Sequence, residues 1–145
     1  MAGALMKLGL KKALVVHSSG LDELTPMAPA DIVEVTAGSK ELKRYSLDPK
    51  DLGIPRCEVK DLAGGDAAQN AKILMDVFGG AQGPVADALN LNAGVALAAA
   101  QIAPDPAAGV AMAQEVQRAG KASGVLKRWI ETSKREAAAE LAAQS

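Results

Sequence analysis

The sequence is poor in residues that form disulfides, bind soft metals or pack as aromatic rings. Its 145 residues include one cysteine, one histidine, and one each of tryptophan, tyrosine and phenylalanine. The single cysteine, Cys57, excludes an internal disulfide and is interpreted as a half-buried structural thiol in a reducing compartment. The single histidine, His17, leaves little from which to build a zinc cluster or a Ser-His-Asp triad.

Charge and hydropathy also exclude two classes of partner. With 16 basic and 17 acidic side chains the net charge is -1, and no segment is polybasic, so we expect no nucleic-acid partner. The uncharged run between Asp87 and Asp105 approaches transmembrane length, but Asn90 and Asn92 interrupt it. It predicts a buried helix, and we expect no membrane partner. Residues 1–10 lack the pattern of a secretory signal peptide.

The candidate functional motif is an apolar strand followed by a small-residue turn and two carboxylates. Residues 13–16 are apolar, residues 17–20 form the turn, and Asp22 and Glu23 follow. Acidic ligands after a buried strand are a common way for an α/β protein to hold a divalent cation beside a phosphate. Carboxylate oxygens are the ligands that Mg²⁺ prefers, so the two acids are candidate metal ligands. The alternative interpretation is that they are a solvated pair of acids.

Hydrophobic periodicity predicts a helical segment through Leu5 and Leu8 that stops at Gly9, then strands, and then longer helices. Residues 13–16 are continuously apolar, which is typical of a strand covered on both faces in a parallel sheet. Residues 31–36 and 42–47 alternate in polarity and predict an antiparallel hairpin around the turn at 37–40, which makes the sheet mixed. Four helices follow, and their predicted starts are Asp66 as N-cap, Pro84, Asp105–Pro106 and the residues after Gly120.

The predicted sheet is too small to cover the predicted helices. Three strands cannot cover the apolar faces of four or five helices, and nothing upstream supplies a partner for the first strand. The sequence therefore predicts part of an α/β domain.

Two further motifs have competing interpretations. Gly64 and Gly65 before Asp66 could cradle a phosphate, but a carboxylate already capping the helix competes with an anion, so we favour a turn and a cap. His17 could act as a proton shuttle or, as we favour, form a structural hydrogen bond.

The order of the motifs resembles the carboxy-terminal part of the anthranilate phosphoribosyltransferase family. The segments that carry the resemblance are KALVVH and GLDE within 12–23, DLAGGDA at 61–67, GPVADAL at 83–89, and residues 109–122. Residues 54–57 resemble the plastid branch of that family. We therefore interpret residues 1–133 as the carboxy-terminal part of the family's α/β catalytic domain, and residues 134–145 as a helical or frayed tail.

The resemblance implies a reaction of tryptophan biosynthesis. The family transfers the phosphoribosyl group of phosphoribosyl pyrophosphate to anthranilate, releases pyrophosphate, and uses two Mg²⁺ ions. By matching position, Asp22 and Glu23 would hold one ion, and Glu23 would also reach the other. No catalytic residue and no organic cofactor is assigned to this chain. A plastid location is expected if the complete protein carries a transit peptide, and a cytoplasmic one otherwise.

Several family elements have no counterpart in the sequence. They are the amino-terminal helical domain that forms the family's homodimer, the glycine-rich pyrophosphate loop, a basic stretch and the anthranilate-binding arginine. We therefore expect this chain alone to be an inactive fragment. Two alternatives stay open: a binding or regulatory partner derived from the enzyme, and a nucleoside phosphorylase relative of the same fold.

Overall fold

A computed structural model describes residues 1–39 and 41–143. A short helix precedes a small sheet, and four longer helices follow it. The helices are α1 (Ala2–Lys7), α2 (Ala67–Phe78), α3 (Pro84–Ala99), α4 (Pro106–Arg118) and α5 (Lys121–Ala143), and the strands are β1 (Lys12–His17), β2 (Ala30–Thr36) and β3 (Lys43–Leu47). Single 3₁₀ turns occupy Pro49–Leu52 and Val59–Leu62. Lys40, in the predicted hairpin turn, lies outside the described residues.

The sheet has three strands in the order β1-β2-β3. The predicted hairpin is confirmed, since β2 pairs antiparallel with β3. β1 also pairs antiparallel with β2, with Val15 opposite Val33, whereas its apolar run predicts parallel neighbours. A continuous apolar run indicates burial but not strand direction. The α/β class is confirmed, while the strand pairs formed within the described residues are antiparallel.

The core lies between the sheet and the central helices. Its buried side chains come from β2, the loops and helices α3 and α4, and they include Leu24, Ile32, Ile54, Leu91, Val95 and Val110. Aliphatic side chains fill this core, as the scarcity of aromatic residues predicts.

Capping residues begin the helices where the sequence predicts. The Asp66 carboxylate accepts a 2.8 Å hydrogen bond from the Gln69 N–H, and Asp105 does the same for the Ala108 N–H at 2.8 Å. α3 ends at Ala99, shortly before the chain turns at Gln101, which has a φ of 60°.

Apolar surface is left open on both sides of α3. A hollow of about 410 Å³ lies between β1 and α3, and a groove of about 600 Å³ lies among α2, α3, α4 and α5. No helix within residues 1–39 and 41–143 is long and apolar enough to cross a membrane.

Candidate functional site

The chain reverses tightly after β1. The Ser18 N–H donates to the Leu21 carbonyl at 3.1 Å, and the Leu21 N–H donates to the Ser18 carbonyl at 2.9 Å. Between them, Ser19 and Gly20 have φ values of 53° and 85°. Two consecutive left-handed residues define a type I′ turn, which glycine adopts without strain. The turn reverses the chain, so Asp22 and Glu23 directly follow the antiparallel bridge between Ser18 and Leu21.

Asp22 and Glu23 present their carboxylates to solvent. Both residues are exposed, and neither forms an ion pair within the part of the chain that the structure describes. The structure therefore places the predicted pair side by side on an accessible turn. Their oxygens are available to a cation.

A hydroxyl pair secures the segment that follows the carboxylates. The Ser18 hydroxyl lies 3.1 Å from the Thr25 hydroxyl and donates to the Ala28 carbonyl at 3.3 Å. Both Ser18 and Thr25 are buried. The Arg56 guanidinium donates a further hydrogen bond to the Pro26 carbonyl at 3.4 Å. The loop is therefore tied to the start of the turn and to the segment after β3.

Asn92 of α3 provides a second attachment. Its Nδ2 donates to the Leu24 carbonyl at 2.7 Å and to the Ala88 carbonyl at 2.9 Å. Its Oδ1 accepts a hydrogen bond from the Leu24 N–H at 3.2 Å. From the sequence, Asn90 and Asn92 are interpreted as buried amides that satisfy turns nearby. The particular turn that Asn92 bonds, 68 residues away in sequence, had no signal in the sequence.

The donor set fits Mg²⁺ as one side of a shared site. Within residues 1–39 and 41–143, no three His, Cys, Asp or Glu side chains come together as a complete metal cluster. Mg²⁺ often binds through one or two carboxylates, with phosphate oxygens and waters completing its octahedron. Asp22 and Glu23 match that requirement. They do not match the closed nitrogen and sulfur set of a structural zinc site.

The other candidate residues are those of the glycine turn before α2 and His17. Gly65 forms two hydrogen bonds with the Asn70 side chain, of 2.8 and 3.0 Å, and Asp66 caps α2. The turn-and-cap interpretation is therefore confirmed. His17 is exposed at the end of β1, opposite Asp31. Its side chain forms no hydrogen bond within the described residues, so the predicted structural hydrogen bond is wrong.

Cys57 is half-buried, as its interpretation as a structural thiol predicts. Burial raises the pKa of its thiol, and the carboxylates of Asp61 and Asp87 raise it further. A raised pKa keeps the thiol protonated and makes it a poor nucleophile.

Comparison with known proteins identifies the protein family to which the chain belongs. A model of the glycosyl transferase family, a/b domain, matches residues 1–123. The chain therefore belongs to this family of transferases.

Within that class, the chain is similar to the carboxy-terminal part of anthranilate phosphoribosyltransferases. It is 44% identical to the enzyme of that name from an Anaeromyxobacter species over 90% of this chain and 38% of that protein. The crystal structure of the Thermus thermophilus enzyme is 37% identical, covers 90% of this chain and 38% of its own, and has a TM-score of 0.81.

A more distant likeness shows the fold alone. The anthranilate phosphoribosyltransferase of Saccharomyces cerevisiae in complex with PRPP and Mg is 22% identical, with a TM-score of 0.72 over 86% of this chain and 34% of that one. The chain thus spans just over a third of the length of the proteins that it matches.

Proposed function

We propose that this chain forms the metal-holding, carboxy-terminal part of an anthranilate phosphoribosyltransferase. The 44% identity over 90% of the chain to a curated enzyme of that name carries the proposal. The complete enzyme would transfer the phosphoribosyl group of phosphoribosyl pyrophosphate to the amine of anthranilate and release pyrophosphate. This is a step of tryptophan biosynthesis.

Asp22 and Glu23 are the proposed Mg²⁺ ligands. Two adjacent carboxylates repel each other unless a cation lies between or beside them, so the exposed pair favours a metal-bound state. They would hold one ion, and Glu23 would also reach a second. Bound Mg²⁺ neutralises the negative charge that develops on departing pyrophosphate. The yeast protein of this fold was solved with PRPP and Mg, but the assignment rests on the two carboxylates of this chain.

The chain by itself is proposed to be inactive. The chain spans 38% of the length of the curated enzyme that it matches, and the family's glycine-rich pyrophosphate loop and anthranilate-binding arginine have no counterpart in it. The division into residues 1–133 as the domain part and residues 134–145 as its tail is a further proposal. A homodimer is proposed for the complete enzyme, formed through the family's amino-terminal helical domain and not through this chain. A plastid location is proposed if the complete protein has a transit peptide, and a cytoplasmic location is proposed if it does not have one.

A chimeric enzyme tests the proposed role. This chain would replace the corresponding part of the Thermus thermophilus enzyme, to which it is 37% identical. In an active chimera, Asp22→Asn or Glu23→Gln should lower kcat/KM by about tenfold or more, because a group that stabilises charge in the transition state is lost. Steady-state assays of anthranilate consumption with phosphoribosyl pyrophosphate and Mg²⁺ measure this ratio.

The matched control is Glu131→Gln. Glu131 is an exposed acid on α5, so its variant should keep the chimera's kcat/KM. Wild-type rates in both turn variants would refute the metal assignment. Turnover of anthranilate by the isolated chain would refute the proposal that its site is incomplete. Absence of activity in every chimera would favour the binding-partner alternative.

A further inference from the structure

The Asp22–Glu23 pair lies between two attachments that each use a backbone N–H and a backbone carbonyl. On one side, Leu21 exchanges hydrogen bonds of 2.9 and 3.1 Å with Ser18. On the other, Leu24 is bonded through its N–H and its carbonyl to the Asn92 amide, at 3.2 and 2.7 Å. Only the two carboxylate residues lie between these attachments.

Asn92 is itself held in a fixed orientation. Its third hydrogen bond, 2.9 Å to the Ala88 carbonyl, joins the amide to its own helix. The Leu24 side chain is 3% exposed and belongs to the core. Both the backbone and the side chain of Leu24 are therefore fixed. Because each residue has only two soft backbone dihedrals, little freedom is left to Glu23.

We propose that Asn92 is a positioning residue for the metal-holding turn. Its amide acts as a clamp on Leu24 and so sets where the carboxylates of Asp22 and Glu23 lie. The positioning role depends on the proposed Mg²⁺ function, whereas the clamp itself does not. Residues outside the ligand shell that orient ligands typically change metal affinity by about 10-fold to 100-fold when they are removed.

The clamp preorganises the turn for metal binding. Free carboxylates on a mobile loop must be ordered when the cation binds, and the conformational entropy of that ordering weakens binding. A loop fixed in advance avoids most of that loss. The clamp also connects the turn to α3, which lies 68 residues away in sequence.

Proteolysis of the full chain tests the clamp without any activity assay. A protease that cleaves after glutamate reports local opening at Glu23–Leu24, and cleavage at Glu34–Val35, within β2, provides an internal reference for general unfolding. In Asn92→Ala, we expect the ratio of the two cleavage rates to rise by about tenfold, since two backbone hydrogen bonds are lost. Mass spectrometry of the time course measures both rates.

Metal affinity is measured on the same samples. Mn²⁺ serves as the probe, because it takes oxygen ligands as Mg²⁺ does and its free form is quantified by electron paramagnetic resonance. The Mn²⁺ dissociation constant should increase by about tenfold or more in Asn92→Ala. Asn92→Asp keeps an acceptor for the Leu24 N–H and loses both donors. It should shift both measurements in the same direction even if the alanine variant fails to fold.

The matched control is Gln117→Ala. Like Asn92, Gln117 bonds two backbone carbonyls, those of Val77 and Ala81 at 2.7 and 2.8 Å, but it is buried and lies on α4. Its loss should lower the unfolding temperature and leave the cleavage ratio and the Mn²⁺ affinity within about twofold of the unchanged chain.

The outcomes separate the two proposals. An unchanged cleavage ratio in Asn92→Ala and Asn92→Asp, or an equal rise in Gln117→Ala, would overturn the clamp. A raised ratio with unchanged Mn²⁺ affinity would overturn the positioning role. If Glu23→Gln leaves Mn²⁺ binding intact, the proposed metal function fails, while the cleavage ratio still decides whether Asn92 holds the turn.

Discussion

Leu21 and Leu24 show how two ordinary aliphatic residues define a candidate site. Their backbone hydrogen bonds, to Ser18 and to Asn92, leave Asp22 and Glu23 exposed between fixed points. The acids supply the chemistry, and their neighbours supply the position. The order of strand, turn and acids could be predicted from the sequence, since it depends on adjacent residues.

Glu34 offers a separate test at the residue scale. Burial alone would raise the pKa of its carboxyl, but Lys12, Tyr45 and the charge of Lys43 together lower it. The Lys12 ammonium is 3.2 Å from the carboxylate, and the Tyr45 hydroxyl donates to it at 3.3 Å. The folded state therefore favours the charged form.

This shift predicts an acid-dependent loss of stability. Because the folded pKa lies below the ordinary value of 4.5, the unfolded chain takes up the proton first as the pH falls, and the stabilisation disappears through and below that value. Urea unfolding of the chain and of Glu34→Gln should show a stability difference near about pH 7 that shrinks toward about pH 3. A difference independent of pH would contradict the linkage.

At the element scale, the helix starts could be predicted because their signals are local. Asp66, Pro84 and Asp105 begin α2, α3 and α4 as the sequence predicts. The close approach of α3 and α4 could not be predicted. A Cβ on Gly94 would lie 2.5 Å from the Val110 Cα atom, and nothing near Gly94 in sequence indicates which helix it faces.

Gly94→Ala should therefore destabilise the chain. The added methyl would meet the α4 backbone, which cannot rotate away, so we expect a loss of about 1–3 kcal/mol in the free energy of unfolding. Denaturant unfolding measures this loss. Gly124→Ala on α5 is the control, because its added Cβ would lie 3.6 Å from the nearest atom, at the end of the Arg128 side chain.

The two substitutions should affect the free energy of unfolding differently. Alanine is a better helix former than glycine by about 1 kcal/mol, so Gly124→Ala should be neutral or stabilising. Equal effects of the two variants would show that helix propensity, and not contact between α3 and α4, determines the result.

At the scale of the whole molecule, the exposed apolar surface is the main feature. On α5, Val125 and Trp129 are 57% and 69% exposed, and they line an apolar hollow of about 420 Å³ together with Phe78 and Val116. Exposed patches of this kind in a soluble chain are typical of interaction surfaces or of association-prone faces. The sequence predicts this imbalance, since its helices outnumber what three strands can cover.

Trp129 reports directly on that surface because it is the single tryptophan of the chain. In dilute solution its fluorescence should have the emission maximum of a water-exposed indole and should be quenched efficiently by acrylamide. A buried-type spectrum in dilute monomer would contradict the exposure of this face.

The sequence by itself determined the order of strand and helix segments, the capping residues and the place of Asp22 and Glu23 after β1, because each depends on residues a few positions apart. Only the tertiary structure decided that β1 runs antiparallel to β2, that Gly94 meets Val110, and that Asn92 holds Leu24. Those contacts join distant segments. They depend on how the whole chain packs, and no local pattern encodes that packing.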